Sequence, residues 1–363
     1  MNWNAIEGLD NVESPALLII PDHVQRNIDR MIQVVGGPEC VERLYPHVKT
    51  HKMPAVTKMQ IDSGITKFKA ATLSEAEMAA GVGAPEVLIA HQLVGPKIDR
   101  LKRAMENYPA TRFAVIADDA SILNAFNTSC GDPESPLDVY IDIDCGMHRT
   151  GVALGSASDS LRDLIESRDG LRYAGLHVYD GHLHDPDLGQ RTEKALAIIR
   201  QVDEAEQTRP SPRVIAGGSP TFAIWAKNTK YHCSPGTTLL WDRGYGGAHP
   251  EMEFDVAAAL LARVISKPQP GHVCLDLGHK SVAAEMPLDI RVGFPTLPDA
   301  KLVGQNEEHL VVQTSSADKM PVGQIVLAVP KHICPTVALH SRAHVIRDGR
   351  VTGEQWEITA RNR

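Results

Sequence analysis

Nowhere in the 363 residues does an apolar run reach the roughly 18 residues of a membrane helix, and the opening MNWNAIEGLD lacks the basic start and apolar stretch of a secretion leader. A cytoplasmic chain with no membrane partner is expected. Lys and Arg number 37 against 45 Asp and Glu, a net charge of −8, and no basic run is interleaved with aromatic residues. Nucleic acid needs such a positive footprint, so none is expected, and the expected partner is a small molecule. The six cysteines (Cys40, Cys130, Cys145, Cys233, Cys274 and Cys334) show no paired spacing, which argues against a disulfide framework and for reduced thiols. Internal repeats and low-complexity segments are also missing. What remains is a globular composition, 43% apolar and 23% charged, long enough for one large domain plus a smaller one. It carries 16 histidines, clustered at His47/His51, His177/His182/His184 and His332/His340/His344.

From Leu44 to about Leu240, short β-like runs alternate with amphipathic helical stretches, the pattern of parallel strands joined by crossover helices. The strand candidates are Leu44–Lys49, Phe68–Ala71, Val87–His91, Arg112–Ala117, Leu137–Asp144, Tyr173–Tyr179, Arg213–Ala216 and Tyr231–Leu240. Eight such strands predict an α/β fold, a (β/α)8 TIM-type barrel, spanning residues 21–250. Helical period is clearest in Lys97–Asn107 and Arg191–Asp203, and Val24, Ile28, Ile32 and Val35 mark a helix ahead of the barrel. Beyond Leu261 the helical period fades. Val264–Ile265, Val273–Leu275, Leu310–Val312, Ile325–Val329, Ala343–Ile346 and Trp356–Ile358 predict a C-terminal β-rich domain over residues 251–363. Ala16–Ile20 has no slot in the barrel, so residues 1–20 are assigned to that sheet.

Side-chain alternation on the first barrel strand sends Tyr45, His47 and Lys49 one way and Leu44, Pro46 and Val48 the other. Lys49 therefore points into the barrel near the strand's C-terminal end, where barrel enzymes keep their sites. A partly buried lysine can form a Schiff base with an aldehyde cofactor. Lys52 competes but has the opposite parity. The seventh strand ends in Ala216-Gly-Gly-Ser-Pro-Thr221, where Gly217, Gly218, Ser219 and Thr221 offer close backbone approach and hydroxyl donors to a phosphate. Strand five ends near Arg149, and strand six supplies His177, Tyr179, His182 and His184 as acid–base or stacking groups. In the tail, His332 and Cys334 stand two apart, on one face of an extended segment, and both are good zinc ligands.

These motifs together resemble the D-threonine aldolases and the related D-serine and 3-hydroxyaspartate dehydratases, of the alanine-racemase-like fold. The resemblance runs from Ser14-Pro-Ala-Leu-Leu through His47-Val-Lys-Thr-His-Lys52, Gly217-Gly-Ser-Pro-Thr221 and Ser234-Pro-Gly-Thr237 to His332-Ile-Cys334. It implies a pyridoxal 5'-phosphate barrel used as a homodimer, with Lys49 as the Schiff-base lysine and Arg149 and Tyr179 beside the cofactor. It places the Gly217–Thr221 turn and Ser234 at the cofactor too, and a divalent metal (Zn, Mn or Mg) on His332 and Cys334. The implied activity is aldol cleavage of D-threonine and related D-3-hydroxy amino acids to glycine and an aldehyde, with His184 as the expected base and His182 as its alternative. Aldolases of the family tend to show Asp where Cys334 stands and dehydratases tend to show Cys, so this position pulls toward release of keto acid and ammonia. Alanine racemases rely on a tyrosine from the β domain, whereas all seven tyrosines here lie at or before Tyr245.

Overall fold

A computed structural model describes residues 3–362. The chain divides into two compact units. One comprises Asp29–Lys49 and Thr57–Gly236; the other comprises residues 3–28, Thr50–Val56 and Thr237–Arg361. Strands are numbered along the chain, and the first, β1 (Ala16–Ile19), belongs to the second unit.

In the first unit β2 (Lys67–Ala70), β3 (Glu86–Ile89), β4 (Arg112–Ala117), β5 (Leu137–Ile143), β6 (Leu171–Val178), β7 (Val214–Ala216) and β8 (His232–Cys233) pair in sequence order, all parallel. The segment Leu44–Val48 closes the ring between β8 and β2. Tyr45 N donates to Cys233 O (2.8 Å) and Lys69 N donates to Pro46 O (3.0 Å), with bridges Leu44–Cys233 and His47–Lys69. Pro46 has no N–H, so this eighth stave lacks the continuous ladder expected over Leu44–Lys49. The barrel is nonetheless complete. The long strand expected over Tyr231–Leu240 shrinks to His232–Cys233, because Pro235 interrupts the ladder and Thr237–Leu239 turns as a 3-10 helix.

Three of the crossover helices begin at a polar side chain that caps them. Thr72, Asp119 and Asp187 accept backbone N–H bonds at the starts of Leu73–Gly81, Ala120–Cys130 and Leu188–Thr208. The last of these buries Ala195, Ile198, Ile199 and Val202 as one stripe. Inside the ring Tyr45, Leu88, Ala114, Ile116, Tyr140, Ala174 and Ile215 pack as a single cluster, so the barrel is filled. At the N-terminal strand ends a polar plug forms. Arg213 pairs with Glu86 (2.8 Å) and donates to Tyr140 Oη (3.1 Å), while Tyr45 donates to Glu86.

The second unit is a mixed sheet of β1, β9 (Ala258–Ser266), β10 (His272–Leu275), β11 (Val292–Gly293), β12 (Lys301–Gln305), β13 (Leu310–Gln313), β14 (Ile325–Pro330), β15 (Arg342–Arg347) and β16 (Arg350–Glu357). Its order is β12-β13-β10-β9-β1-β15-β16, with β14 on β9 and β11 on β14. β1 runs parallel to β15 and antiparallel to β9, so the strand left over from the barrel does join this sheet. β9 is much longer than the expected Val264–Ile265, because its alanine-rich first half carries little strand signal yet is buried on both faces. β11 and β12 had no sequence signal of their own, and β16 starts six residues before the expected Trp356, as the polar arm of a hairpin. Among the described residues no helix is long and apolar enough to cross a membrane.

Gly175 sits in β6 at a register shift against β5, with φ of +135°. A Cβ there would lie 1.8 Å from Arg213 O, the acceptor of Leu176 N. Backbone meets backbone, so no rotamer relieves it. Gly175→Ala is expected to destabilise the protein by more than about 3 kcal/mol, read as a fall in urea midpoint or failure to accumulate as soluble protein; an unchanged midpoint would refute this account of the β5–β6 junction.

Candidate active site

The C-terminal ends of the barrel strands gather an unusual density of cations around one ring. Lys49 Nζ lies 5.6 Å from the centroid of Tyr179, Arg149 Cζ 5.2 Å and Lys69 Nζ 5.2 Å. Lys49 and Arg149 were expected here from the sequence, as was Tyr179. Lys69 was not, although parity would have found it: in Lys67-Phe-Lys-Ala70, Phe68 and Ala70 point away from the barrel axis and the two lysines toward it. Lys49 is half-buried and Arg149 exposed, whereas Lys69 is 2% exposed. It donates to Ser234 Oγ (2.5 Å) and reaches His177 Nε2 at 3.5 Å. His177 Nδ1 in turn donates to Asp142 Oδ1 (2.7 Å), and Thr150 donates to the other carboxylate oxygen. Burial lowers the His177 imidazole, while burial opposes and the His177 bond favours a low Asp142 carboxyl, which ends below its usual range.

The turn after β7 is built around a carboxylate that the sequence reading passed over. Asp180 is buried, and it accepts from Gly218 N (2.9 Å), Thr221 Oγ1 (2.8 Å) and Trp225 Nε1 (2.8 Å). Two groups expected on a phosphate, the Gly218 N–H and the Thr221 hydroxyl, are thus engaged from behind. Ser219 Oγ accepts from Gly236 N (3.2 Å), and Ser234 Oγ donates to Gly217 O (2.9 Å). Gly217 adopts φ of +77°, and a Cβ there would meet the Trp225 ring at 2.9 Å. Burial raises the Asp180 carboxyl above its ordinary value.

His182 and His184 part company. His184 is exposed. His182 lies against Gly146, where an added Cβ would come within 3.3 Å of Nε2, and its Nδ1 is buried with no hydrogen-bond partner among the described residues. An orphaned imidazole nitrogen, three cations and an aromatic face form a donor set suited to an anionic, flat ligand, so these residues fit a phosphorylated pyridine aldehyde.

In the second unit, Lys52 Nζ reaches Ala360 O (3.4 Å). His51 is fully buried, its Nδ1 accepting from Met53 N (3.1 Å), and burial pulls it down to about 3. The extended segment expected to place His332 and Cys334 on one face is not formed: Pro330 ends β14 and Ile333–Val337 coils into a short helix with His332 as its N-cap. Asp242 Oδ2 accepts the helix's first N–H, from Ile333 (3.1 Å). The pair still meet. Burial opposes the charge on His332, but bonds to Cys334 and to Glu285 (2.8 Å at Nδ1) raise it to about 9. Thr50, the residue after Lys49, places its hydroxyl 3.2 Å from Cys334 Sγ. A carboxylate on one imidazole nitrogen is the arrangement that orients a metal-binding histidine. Among the described residues no third His, Cys, Asp or Glu joins them. Of the other histidines, His340 bonds Ser281 O (2.8 Å) and His309 is exposed.

Residues 19–243 match the family model "Alanine racemase, N-terminal domain", and residues 257–346 match a serine dehydratase domain. The chain belongs to the alanine racemase N-terminal-domain family. It is 28% identical to a D-threonine aldolase of Arthrobacter sp, over 98% of this chain and 94% of that one. It is 27% identical to the D-threo-3-hydroxyaspartate dehydratase of Delftia sp. (strain HT23), over 97% and 98%. The crystal structure of D-threonine aldolase from Filomicrobium marinum superposes with a TM-score of 0.87 at 27% identity, covering 97% of this chain and 96% of that one. As a member of this family the chain is an enzyme, and its named relatives are aldolases and dehydratases.

Within the family fold, Asp180 is the residue on which the β7 turn depends. Asp180→Ala strands the Gly218, Thr221 and Trp225 donors and is expected to lower stability by about 3 kcal/mol, seen in the urea midpoint, with Asp180→Asn losing less. Since the folded carboxyl binds its proton more tightly than the unfolded one, this group's contribution falls as pH rises from the ordinary carboxyl range through the raised value. Asp180→Asn should flatten that part of the stability–pH curve; an identical curve in the variant would contradict the assignment.

Proposed function

We propose that the protein is a pyridoxal 5'-phosphate- and divalent-metal-dependent aldolase that cleaves D-threonine and related D-3-hydroxy amino acids to glycine and an aldehyde. The observation that carries this reading is the ring of Lys49, Lys69 and Arg149 about Tyr179 at the barrel's C-terminal strand ends. The similarity to the Arthrobacter and Filomicrobium aldolases supports it. When bound, the coenzyme would supply an aldehyde and an electron sink for charge at the substrate's Cα, and the metal a Lewis acid for its β-hydroxyl.

The chain's own residues would do the rest. Lys49 would hold the coenzyme covalently through its amine and yield that position to the substrate's amine. Arg149 and the turn Gly217–Thr221, with Ser219 foremost, would hold anionic oxygens. Tyr179 offers its ring face to the coenzyme. His182, with a buried nitrogen lacking a partner, would take the proton of the β-hydroxyl; His184, exposed, is the weaker candidate for that task. His332 and Cys334 would hold the metal, with Glu285 fixing the imidazole.

A second reading is favoured by Cys334, the residue type of the family's dehydratases. There Lys49 would remove the Cα proton and the products would be a keto acid and ammonia. Incubating the purified protein, loaded with pyridoxal 5'-phosphate and Mn2+, with D-threonine is expected to give glycine and acetaldehyde in equal amounts. Ammonia and keto acid without glycine would replace the aldolase by the dehydratase. Lys49→Ala is expected to lose the visible absorption that borohydride fixes in the wild type. Chelation should cut turnover about a hundredfold or more while leaving that absorption in place; turnover indifferent to chelator would remove the metal from the reading.

A further inference from the structure

Lys69 is the buried group that the reaction above leaves unused. It lies in the uppermost inward-facing layer of the barrel, to which β2 and β6 contribute Lys69 and His177 and the residue after β8 contributes Ser234. Such layers are ordinarily filled by branched apolar side chains, and an ammonium there loses most of its hydration. We propose that Lys69 is a second working amine of the cofactor pocket, a proton-exchanging group held by His177 and Ser234 that gives and takes a proton while Lys49 holds the coenzyme. The proposal rests on the reading of Lys49 given above.

Three observations carry it. Asp142 accepts from His177 Nδ1 (2.7 Å), which fixes the neutral tautomer with its Nε2 lone pair turned to Lys69. Of the three ammonium hydrogens, one meets that lone pair and one meets Ser234 Oγ, whose own hydrogen goes to Gly217 O (2.9 Å). The third has no acceptor within hydrogen-bonding distance among the described residues, and Nζ stands 5.2 Å from the Tyr179 ring that Lys49 also faces. The lysine thus has one proton to deliver, and the amine left behind keeps its two tethers.

The charges facing it are mixed. Lys49 and Arg149 disfavour the ammonium, and Asp142 and Asp180 favour it, with His177 neutral and Tyr179 presenting its ring. Burial first, then the Lys49 charge, bring the amine down to about 7, where both forms are populated at neutral pH. In the proton balance, the ammonium passes H+ to a basic atom of the bound substrate and becomes an amine. It regains H+ from solvent as product leaves, and the β-hydroxyl proton taken by His182 returns to solvent, so no oxidant or further reactant is needed.

The test uses the full chain loaded with pyridoxal 5'-phosphate, whose absorption is followed against pH through neutrality. The wild type is expected to show a spectral transition below the ordinary lysine range, because the amine is buried. Lys69→Met and Lys69→Arg should both lack it, the second while still retaining the coenzyme. In Asp142→Asn it should move to lower pH, since the carboxylate that favours the ammonium is gone. Glycine formation from D-threonine should fall about a hundredfold in both Lys69 variants. If Lys69→Met does not fold, Lys69→Arg decides by the same curve. A transition that persists unchanged in the Lys69 variants overturns the proposal. Borohydride fixation followed by peptide mapping separates the two assignments: label on Lys49 upholds that reading, and label on Lys69 overturns both.

Discussion

The barrel unit is organised by the burial of positive charge at one end of a closed ring. An ammonium removed from water loses several kcal/mol of solvation unless fixed acceptors replace the solvent, and the Lys69 amine is wholly enclosed. Ser234 and the Asp142–His177 pair replace part of that solvent, and the Tyr179 face adds an electron-rich surface. Like charge from Lys49 and Arg149 works against them. The balance leaves an amine able to exist in either protonation state, which an apolar or a fully neutralised environment would not allow. The opposite end of the barrel shows the contrasting solution, where Arg213 and Glu86 pair directly and Tyr45 and Tyr140 complete their bonds. One polar layer is locked, the other is left adjustable.

Asp180 makes a related trade at the β7 turn. A carboxylate beside a would-be phosphate site is electrostatically adverse. It nevertheless holds the turn by collecting a backbone N–H, a hydroxyl and an indole N–H at once, and burial moves it toward the neutral form that repels an anion less. Positioning is thereby separated from charge. Asp180 sets the shape of the turn, and the cations of the neighbouring strand ends set its potential.

The sheet unit has its own constraint. β1 is enclosed by β9 and β15 and fully buried, so the N-terminal segment is tied into the unit that the C-terminal strands complete. The chain leaves the barrel unit after Lys49 and re-enters it at Thr57, and the Thr50 hydroxyl in that excursion lies beside Cys334. Asp242 secures the turn that presents His332 and Cys334 by capping Ile333.

Much of this was written in local sequence. Strand–helix alternation, caps such as Thr72 and Asp119, and the parity of Tyr45, His47 and Lys49 follow from backbone geometry within a few residues, so the barrel, its inward lysine and the leftover strand could be read without coordinates. What failed were features whose cause lies far along the chain. β9 was underestimated because its alanines are stabilised as strand by neighbours on either side, and the His332–Cys334 segment coils because Asp242, 91 residues away, caps it. Asp180 escaped for the same reason, since a single aspartate carries no signal until folding surrounds it with Gly218 and Trp225, whereas the inward direction of Lys69 was legible from strand parity. Residue order alone determined which side chains face inward; only the closed ring decided which of them meet, because closure brings strands distant in sequence within hydrogen-bonding reach and shuts out the water that would otherwise level their chemistry.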